Sequence, residues 1–312
     1  MIGIVLGCLA QALLLLALAP GLNGLIKAMK ARLQTRQGPP PLQGYYDLRK
    51  WLRKDAIYSE HASWVSRIAP AASFAAILVA GLLITTLVRQ APLGMGGDLI
   101  AAVYLFALAR FLTALAGLDA AGAFGGMGSS REMAISALAE PVLVLASLTL
   151  AVHAGGTSIS RMVTAAPSLS EGAAVLGFAA FFLVVIAETG RIPVDNPDTH
   201  LELTMVHEGM ILEAAGSALA LYHYGAQIKQ LLLLSLMADL FLPWGLADIG
   251  DGAAALAGSA ILYLLKIGVL AAALAVTETG MAKLRIFRVP DLMGTAFALA
   301  FLSLAAETAL HA

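Results

Sequence analysis

The chain has 312 residues, of which 60% are hydrophobic and only 12% charged, and its formal net charge is −1 at pH 7. A soluble domain keeps roughly a quarter of its residues charged, so this composition excludes a water-soluble globular protein and points to lipid as the solvent. The one cysteine, Cys8, excludes an intrachain disulfide, a cysteine-ligated iron–sulfur cluster and a Cys-type zinc site.

Apolar runs long enough to cross about 30 Å of hydrocarbon fall near 2–22, 68–89, 98–118, 133–154, 173–190, 215–243, 253–279 and 291–309. The predicted fold is all-α, a polytopic transmembrane helical bundle of about eight spans forming a single integral membrane domain over 1–312. The first run, Ile2 to Ala19, has no basic segment ahead of it and leads directly into the main basic loop, so it reads as a retained span. That loop, 27–67, carries Lys27, Lys30, Arg32, Arg36, Arg49, Lys50, Arg53, Lys54 and Arg67 out of 19 basic residues in all. By the positive-inside rule it faces the cytoplasm and the N-terminus lies outside. Eight spans then place Arg131, Arg191, Lys283, Arg285 and Arg288 on the inner side, whereas the outer loops hold only Arg89 and Arg161.

Within the first loop, Gly38 and Pro39 to Pro41 set a rigid turn. Tyr45, Tyr46, Leu48, Trp51 and Leu52 then alternate with Arg49, Lys50, Arg53 and Lys54, which predicts an amphipathic basic helix. Such a helix either anchors on anionic lipid or docks a cytoplasmic partner. The glycine-rich stretch AGAFGGMGSSRE in the second inner loop lacks the Lys-Ser/Thr of a phosphate-binding loop and reads as a compact turn into the fourth span.

Ionisable residues inside spans are functional candidates, because each costs several kcal/mol unless paired or wetted. Glu140 lies in the fourth span beside Pro141, and Lys266 lies at the middle of the seventh; both are expected to line a polar pathway. Arg110, Asp239, Lys229 and Glu278 sit nearer span ends, where snorkelling or an interhelical salt bridge competes with a functional role. The richest stretch is 187–213, AETGRIPVDNPDTHLELTMVHEGMILE. Pro193 and Pro197 break any helix continuing from the fifth span. Asp198 or Thr199 can then cap a new helix bearing His200, Glu202, His207, Glu208 and Glu213, so that 188–214 is expected to be an acidic loop and re-entrant helix packed against the bundle. Closely spaced, partly desolvated carboxylates couple their titrations and can relay protons near neutral pH. There is neither HExxH nor a Glu-x-x-His pairing, so no metal is expected.

Several stretches then carry a resemblance: Arg36-Gln37-Gly38-Pro39-Pro40 with Tyr45-Tyr46-Asp47-Leu48, FGGMGSSREM at 124–133, AETGRIPVDNPDTHLELTMVHE at 187–208, and AKLRIFRVPDLM at 282–293. Along essentially its whole length the chain resembles the complex I subunit 1 family, and within it the membrane subunits of group 4 energy-converting hydrogenases. The resemblance implies a subunit of the bacterial or archaeal cytoplasmic membrane, without a redox centre or catalytic residue of its own. It would hold a soluble arm of hydrogenase-like large and small subunits and an iron–sulfur subunit, whose complex carries iron–sulfur clusters and a nickel–iron centre, and would join antiporter-like membrane subunits to that arm. No nucleic-acid partner is expected. Carried over by motif, Glu188, Glu202, Glu208 and Glu213 would line the inner-loop end of a proton pathway, with Glu140 at its start within the membrane. Arg36, Gly38, Pro39, Tyr45, Arg131, Arg191, Asp195, His200 and His207 would belong to the motifs that meet the redox arm. Lys266 and Glu278 join the pathway by the reading of the spans themselves.

Where the quinone-reducing branch has Pro-Phe-Asp-Leu-Pro-Glu-Ala-Glu, this chain has Pro193-Val194-Asp195-Asn196-Pro197-Asp198-Thr199-His200. That difference favours hydrogenase-type coupling over the alternative, a quinone-site subunit of a complex I-type NADH dehydrogenase. It also adds a group that titrates near neutrality. A stand-alone transporter would be expected to show an inverted repeat, and none is evident.

Overall fold

The computed structural model describes residues 2–94, 97–166, 170–196, 205–248 and 250–311. Among these the long helices are α1 (Ile2–Leu33), α3 (Trp64–Leu83), α4 (Asp98–Asp119), α5 (Ala123–His153), α7 (Glu171–Glu188), α9 (Gly216–Phe241), α10 (Ala253–Gly280) and α11 (Val289–His311). The connections hold the short helices α2 (Gln43–Leu52), α6 (Ile159–Ala165) and α8 (His207–Met210). No strand forms among the described residues; Val88 and Ala247 make one isolated parallel bridge between the loops that follow α3 and α9. Seven of the long helices have the length and apolar composition to cross a bilayer, and α9 is the other.

The bundle is built around α9. Every residue from Gln227 to Leu240 is buried, including Gln227, Lys229, Gln230 and Asp239. At 1.5 Å per residue its 26 residues are long enough to span. Its polar side chains lower its hydropathy, and they are tolerated because α9 meets protein rather than lipid: it packs on α1, α3, α7 and α10. The remaining helices wrap around it, with α3 against α4 and with α5, α7 and α11 packed together. Leucine, valine and other bulky apolar side chains on α1, α3, α4, α10 and α11 stay exposed, as a lipid-facing surface requires.

Pro20, within α1, has no backbone N–H, so the Leu16 carbonyl one turn earlier loses its helical donor. The Tyr224 hydroxyl of α9 donates to that carbonyl at 2.7 Å, and the Tyr45 hydroxyl of α2 donates to the next one, Ala17. The carbonyl that proline frees thus seats α9 on α1, and the next one seats α2. The predicted amphipathic helix is present as α2. Leu48 is buried and Trp51 stacks on His223 at 4.8 Å, while Tyr46, Leu52 and the basic side chains stay exposed.

Two expectations are corrected. The FGGMGSSRE stretch is no turn: α5 begins at Ala123 and runs through it, leaving only 120–122 between α4 and α5. Its glycines serve close approach. A Cβ on Gly125 would lie 2.4 Å from the Gly117 carbonyl oxygen of α4, and one on Gly128 would lie 2.9 Å from backbone atoms of Val206, Gly209 and Met210. Small residues let membrane helices meet backbone to backbone in this way. Likewise the described part of 187–213 forms no long second helix. Residues 197–204, with His200 and Glu202, lie outside the described residues; beyond them α8 is a single turn and Glu213 falls in the link to α9.

At Gly125 even one methyl group collides with backbone. Gly125→Ala should therefore destabilise the protein by about 1–3 kcal/mol, as overpacking does, seen as a lower unfolding midpoint in detergent or lipid nanodiscs.

Candidate functional site

Each of four helices brings at least one ionisable side chain to a common point inside the bundle. The Arg110 guanidinium of α4 hydrogen-bonds Glu140 of α5 through one terminal nitrogen and Glu188 of α7 through the other. Its Nε lies 3.4 Å from Glu132 of α5, an ion-pair separation. Lys229 of α9 donates to Glu188 Oε2 at 2.7 Å. Arg110, Glu132, Glu188 and Lys229 are all buried, whereas the Glu140 side chain is 34% exposed and opens towards the outside of the bundle. Isolated ions at such depth cost several kcal/mol each, and mutual pairing with hydrogen bonds offsets that cost. The carboxylates belong to one coupled network rather than to independent sites.

A second network lies nearer the basic-loop end. Arg191, only 6% exposed, donates to Glu278 of α10 at 3.2 Å, to Asn23 of α1 at 3.0 Å and to Gln230 of α9 at 2.8 Å. Lys30 of α1 pairs with the same Glu278 at 2.5 Å. Asp195 holds the loop itself: it accepts from Lys283 at 2.7 Å and from the backbone N–H groups of Val206 and His207 at 3.3 Å. Arg131 grips the same segment from α5, donating to the Met205 carbonyl at 3.0 Å. His207 is thereby set with Nδ1 3.9 Å from Glu132. Burial disfavours its charged form, but the carboxylate of Glu132, with Glu208 beside it, outweighs burial and raises its pKa above the ordinary 6.5.

Two cavities flank this loop. The larger, about 420 Å³, lies at the basic-loop end against Lys27, Asp47, Trp51, Arg191, His207 and Glu208. The smaller, about 50 Å³, reaches Arg110, Glu188, Tyr222 and Lys229. A water needs about 10–15 Å³ of such space and two to four polar partners, so the smaller cavity is roomy and polar enough for ordered water. The Tyr222 hydroxyl and Glu188 Oε1 beside it are buried with no hydrogen-bond partner among the described residues. Thr189, His207 and Ala226 line both cavities.

The structure therefore joins Glu140 and Glu188 through Arg110, and places Glu278 in the Arg191 network and Glu208 on the larger cavity. Glu213 is exposed beside Gly122, away from the buried carboxylates. Lys266 stands apart from both networks: its ammonium donates to the Leu242 carbonyl at 2.5 Å, beyond the end of α9, and lies 4.8 Å over the Trp244 ring. Asp239, near it on α9, accepts from Thr85 at 2.8 Å. Of the residues expected to meet the redox arm, Arg36 is exposed and Gly38 and Pro39 shape the turn after α1, while Tyr45, Arg191 and Asp195 bond within the chain. From sequence, Glu132 and Lys30 carry no site role, and Arg110 and Lys229 stand between a functional role and snorkelling or a salt bridge. The signal of all four is their position within or beside apolar runs.

A multi-pass helical bundle with a paired charge network inside it is the class that these features define. The sequence model described as NADH dehydrogenase matches residues 6–308, and the chain belongs to that family, the complex I subunit 1 family. It is 34% identical to formate hydrogenlyase subunit 4 of Escherichia coli (strain K12), over 95% of this chain and 96% of that protein. It is 33% identical to hydrogenase-4 component C of the same organism, over 96% of this chain and 95% of that one. In fold it is similar to a chain of the membrane-bound sulfane sulfur reductase, an archaeal respiratory membrane complex, with a TM-score of 0.83 at 18% identity, covering 98% of this chain and 99% of that one.

Removing Arg110 would leave Glu132 and Glu140 without its guanidinium and Glu188 with Lys229 alone. Arg110→Met should cost about 3–5 kcal/mol, and adding Glu188→Gln should recover part of it; unfolding midpoints of the single and double variants measure both. The His207 pairing stabilises the fold fully below the ordinary pKa of 6.5 and is lost as the pH rises through the higher folded value. Midpoints taken across that range should fall with rising pH, and His207→Gln should flatten the dependence.

Proposed function

We propose that this chain is the membrane-anchor and coupling subunit of a group 4 nickel–iron hydrogenase complex of the formate hydrogenlyase or hydrogenase-4 type. In this reading it sits in the cytoplasmic membrane, docks the soluble redox arm at its basic-loop face, and links electron transfer there to movement of H⁺ or Na⁺. Iron–sulfur clusters and the nickel–iron centre belong to the partner subunits.

The observation that carries this reading is the continuity of the polar groups. The larger cavity at the basic-loop face adjoins His207, His207 adjoins Glu132, and Arg110 ties Glu132 to Glu188 and to Glu140. Glu140 then opens at the outer surface of α4 and α5, among the exposed Leu108, Phe111, Met133 and Val144. A half-exposed carboxylate on an apolar flank is costly against lipid and suits a neighbouring membrane subunit that takes up the relay, such as an antiporter-like one. At the opposite end, the exposed basic face of α2 with Arg36 suits the soluble arm. The sequence Asn196-Pro197-Asp198-Thr199-His200 favours the hydrogenase reading over a quinone site, and so does the kinship with formate hydrogenlyase subunit 4.

Purification of the tagged chain from its native membrane should bring down a nickel–iron large subunit. Flavin- and NADH-binding subunits in its place would replace this reading with the quinone-site alternative. In the complex, Glu140→Gln should leave hydrogen chemistry with an artificial dye largely intact while coupled ion movement in sealed vesicles is lost. Loss of dye activity in a fully assembled complex would count against a purely coupling role.

A further inference from the structure

Among the described residues the cluster around Arg110 holds three carboxylates, Glu132, Glu140 and Glu188, and two cationic side chains, Arg110 and Lys229. Its charge is balanced only when one further proton is present, on a carboxylate or on a neighbouring base. The base that the structure supplies is His207, whose ring lines the smaller cavity next to Glu188 and Lys229 and also the larger one at the basic-loop face. Thr189 and Ala226 are the other described residues common to both walls; the Thr189 hydroxyl is donated to the Val185 carbonyl at 2.6 Å and does not titrate near neutral pH, and Ala226 carries no titratable group. Among the described residues, the only group shared by the two cavities that can hold a proton is therefore an imidazole.

From this geometry we infer that His207 is the proton-entry residue of the buried cluster, passing protons from the basic-loop cavity to Glu132. The inference rests on the coupling role proposed above and assigns its entry step. In that step Nε2 takes a proton from cavity water, the Nδ1–H proton passes to the Glu132 carboxylate, and the ring is neutral before and after. Nδ1 lies 3.9 Å from Glu132 Oε2, so a small rotation or one water completes the hydrogen bond. The backbone beneath the ring is fixed from two sides, by Asp195 on the His207 N–H and by Arg131 on the Met205 carbonyl. The groups around the ring pull in opposite directions. Glu132 of α5 and Glu208 beside it favour the imidazolium, Lys229 of α9 disfavours it, His223 of α9 and His207 disfavour each other's charged form, and Lys27, Asp47 and Arg191 face the ring across the larger cavity. Arg110 of α4 and Glu188 of α7 lie behind Glu132. Such a balance keeps both protonation states accessible near neutrality, as a transfer residue requires.

The test uses sealed inverted membrane vesicles holding the whole complex, with coupled proton uptake followed across neutral pH. His207→Gln, which keeps a polar side chain of similar reach but cannot titrate, should lower coupled uptake by about a hundredfold, the scale of a lost acid–base group. His207→Ala should fail likewise and be restored by imidazole added to the medium, because the larger cavity admits it. Imidazole rescue should follow the titration of imidazole itself, which a merely structural defect would not do. Uptake by His207→Gln within about twofold of the parent, or no response of His207→Ala to imidazole, overturns the assignment. Glu188→Gln separates the two levels. If it is inactive while His207→Gln is normal, only the entry step fails; if both are normal, the coupling role fails with it.

Discussion

Inside a bilayer an ionised side chain has no water to fall back on, so every charge must find its counter-charge within the protein. Arg110 meets that constraint with three carboxylates from two helices, and Glu188 meets it with Arg110 and Lys229. The pairing fixes α4, α5, α7 and α9 relative to one another more tightly than apolar packing could, since separating any pair strands a buried ion. It also explains why α9 can be so polar. Lys229, Gln230 and Asp239 each bond a neighbouring segment, and a helix enclosed by protein need not be hydrophobic on every side.

The same constraint organises the loop between α7 and α9. Asp195, Arg131 and Lys283 hold it by charge-assisted hydrogen bonds, so His207 and Glu208 are carried by a pinned segment rather than a loose one. Arg191 lies on the wall of the larger cavity with Asn23 and Gln230, and through Glu278 and Lys30 its network joins α1, α9 and α10. Glu278 is held there between two cations, Lys30 and Arg191, which makes it an anchor for those helices. A change in the soluble arm that pressed on α2 or on this loop would bear on both networks through shared neighbours. That is the physical content of coupling in this account: a redox event at one end alters which protonation state of the buried cluster is favoured.

Hydropathy placed the spans to within a few residues in most cases, because the period and length of apolar runs are local properties. The amphipathic α2 was legible for the same reason, in the alternation of Tyr45, Leu48 and Trp51 with basic residues. The long motif at 187–208 pointed to the family, and the kinship bears that out. What sequence could not give was which charges meet. Arg110 is 78 residues from Glu188, and Glu188 is 41 residues from Lys229; nothing local distinguishes such a hub from an arginine that snorkels. The glycine-rich stretch misled because glycine marks turns in water but close helix packing in membranes. Lys266 was read as part of the pathway from its depth alone, yet it serves the Leu242 carbonyl and Trp244, because depth says that a partner must exist without saying which one.

The central claim is that the carboxylates around Arg110 change protonation during turnover. Reaction-induced infrared difference spectroscopy on the assembled complex, oxidised against reduced by hydrogen, addresses this directly. The account predicts a protonated-carboxyl band that appears or vanishes with the redox state and is missing in Glu140→Gln or Glu188→Gln. A redox difference spectrum with no carboxyl band, or with the same band in both variants, would contradict it.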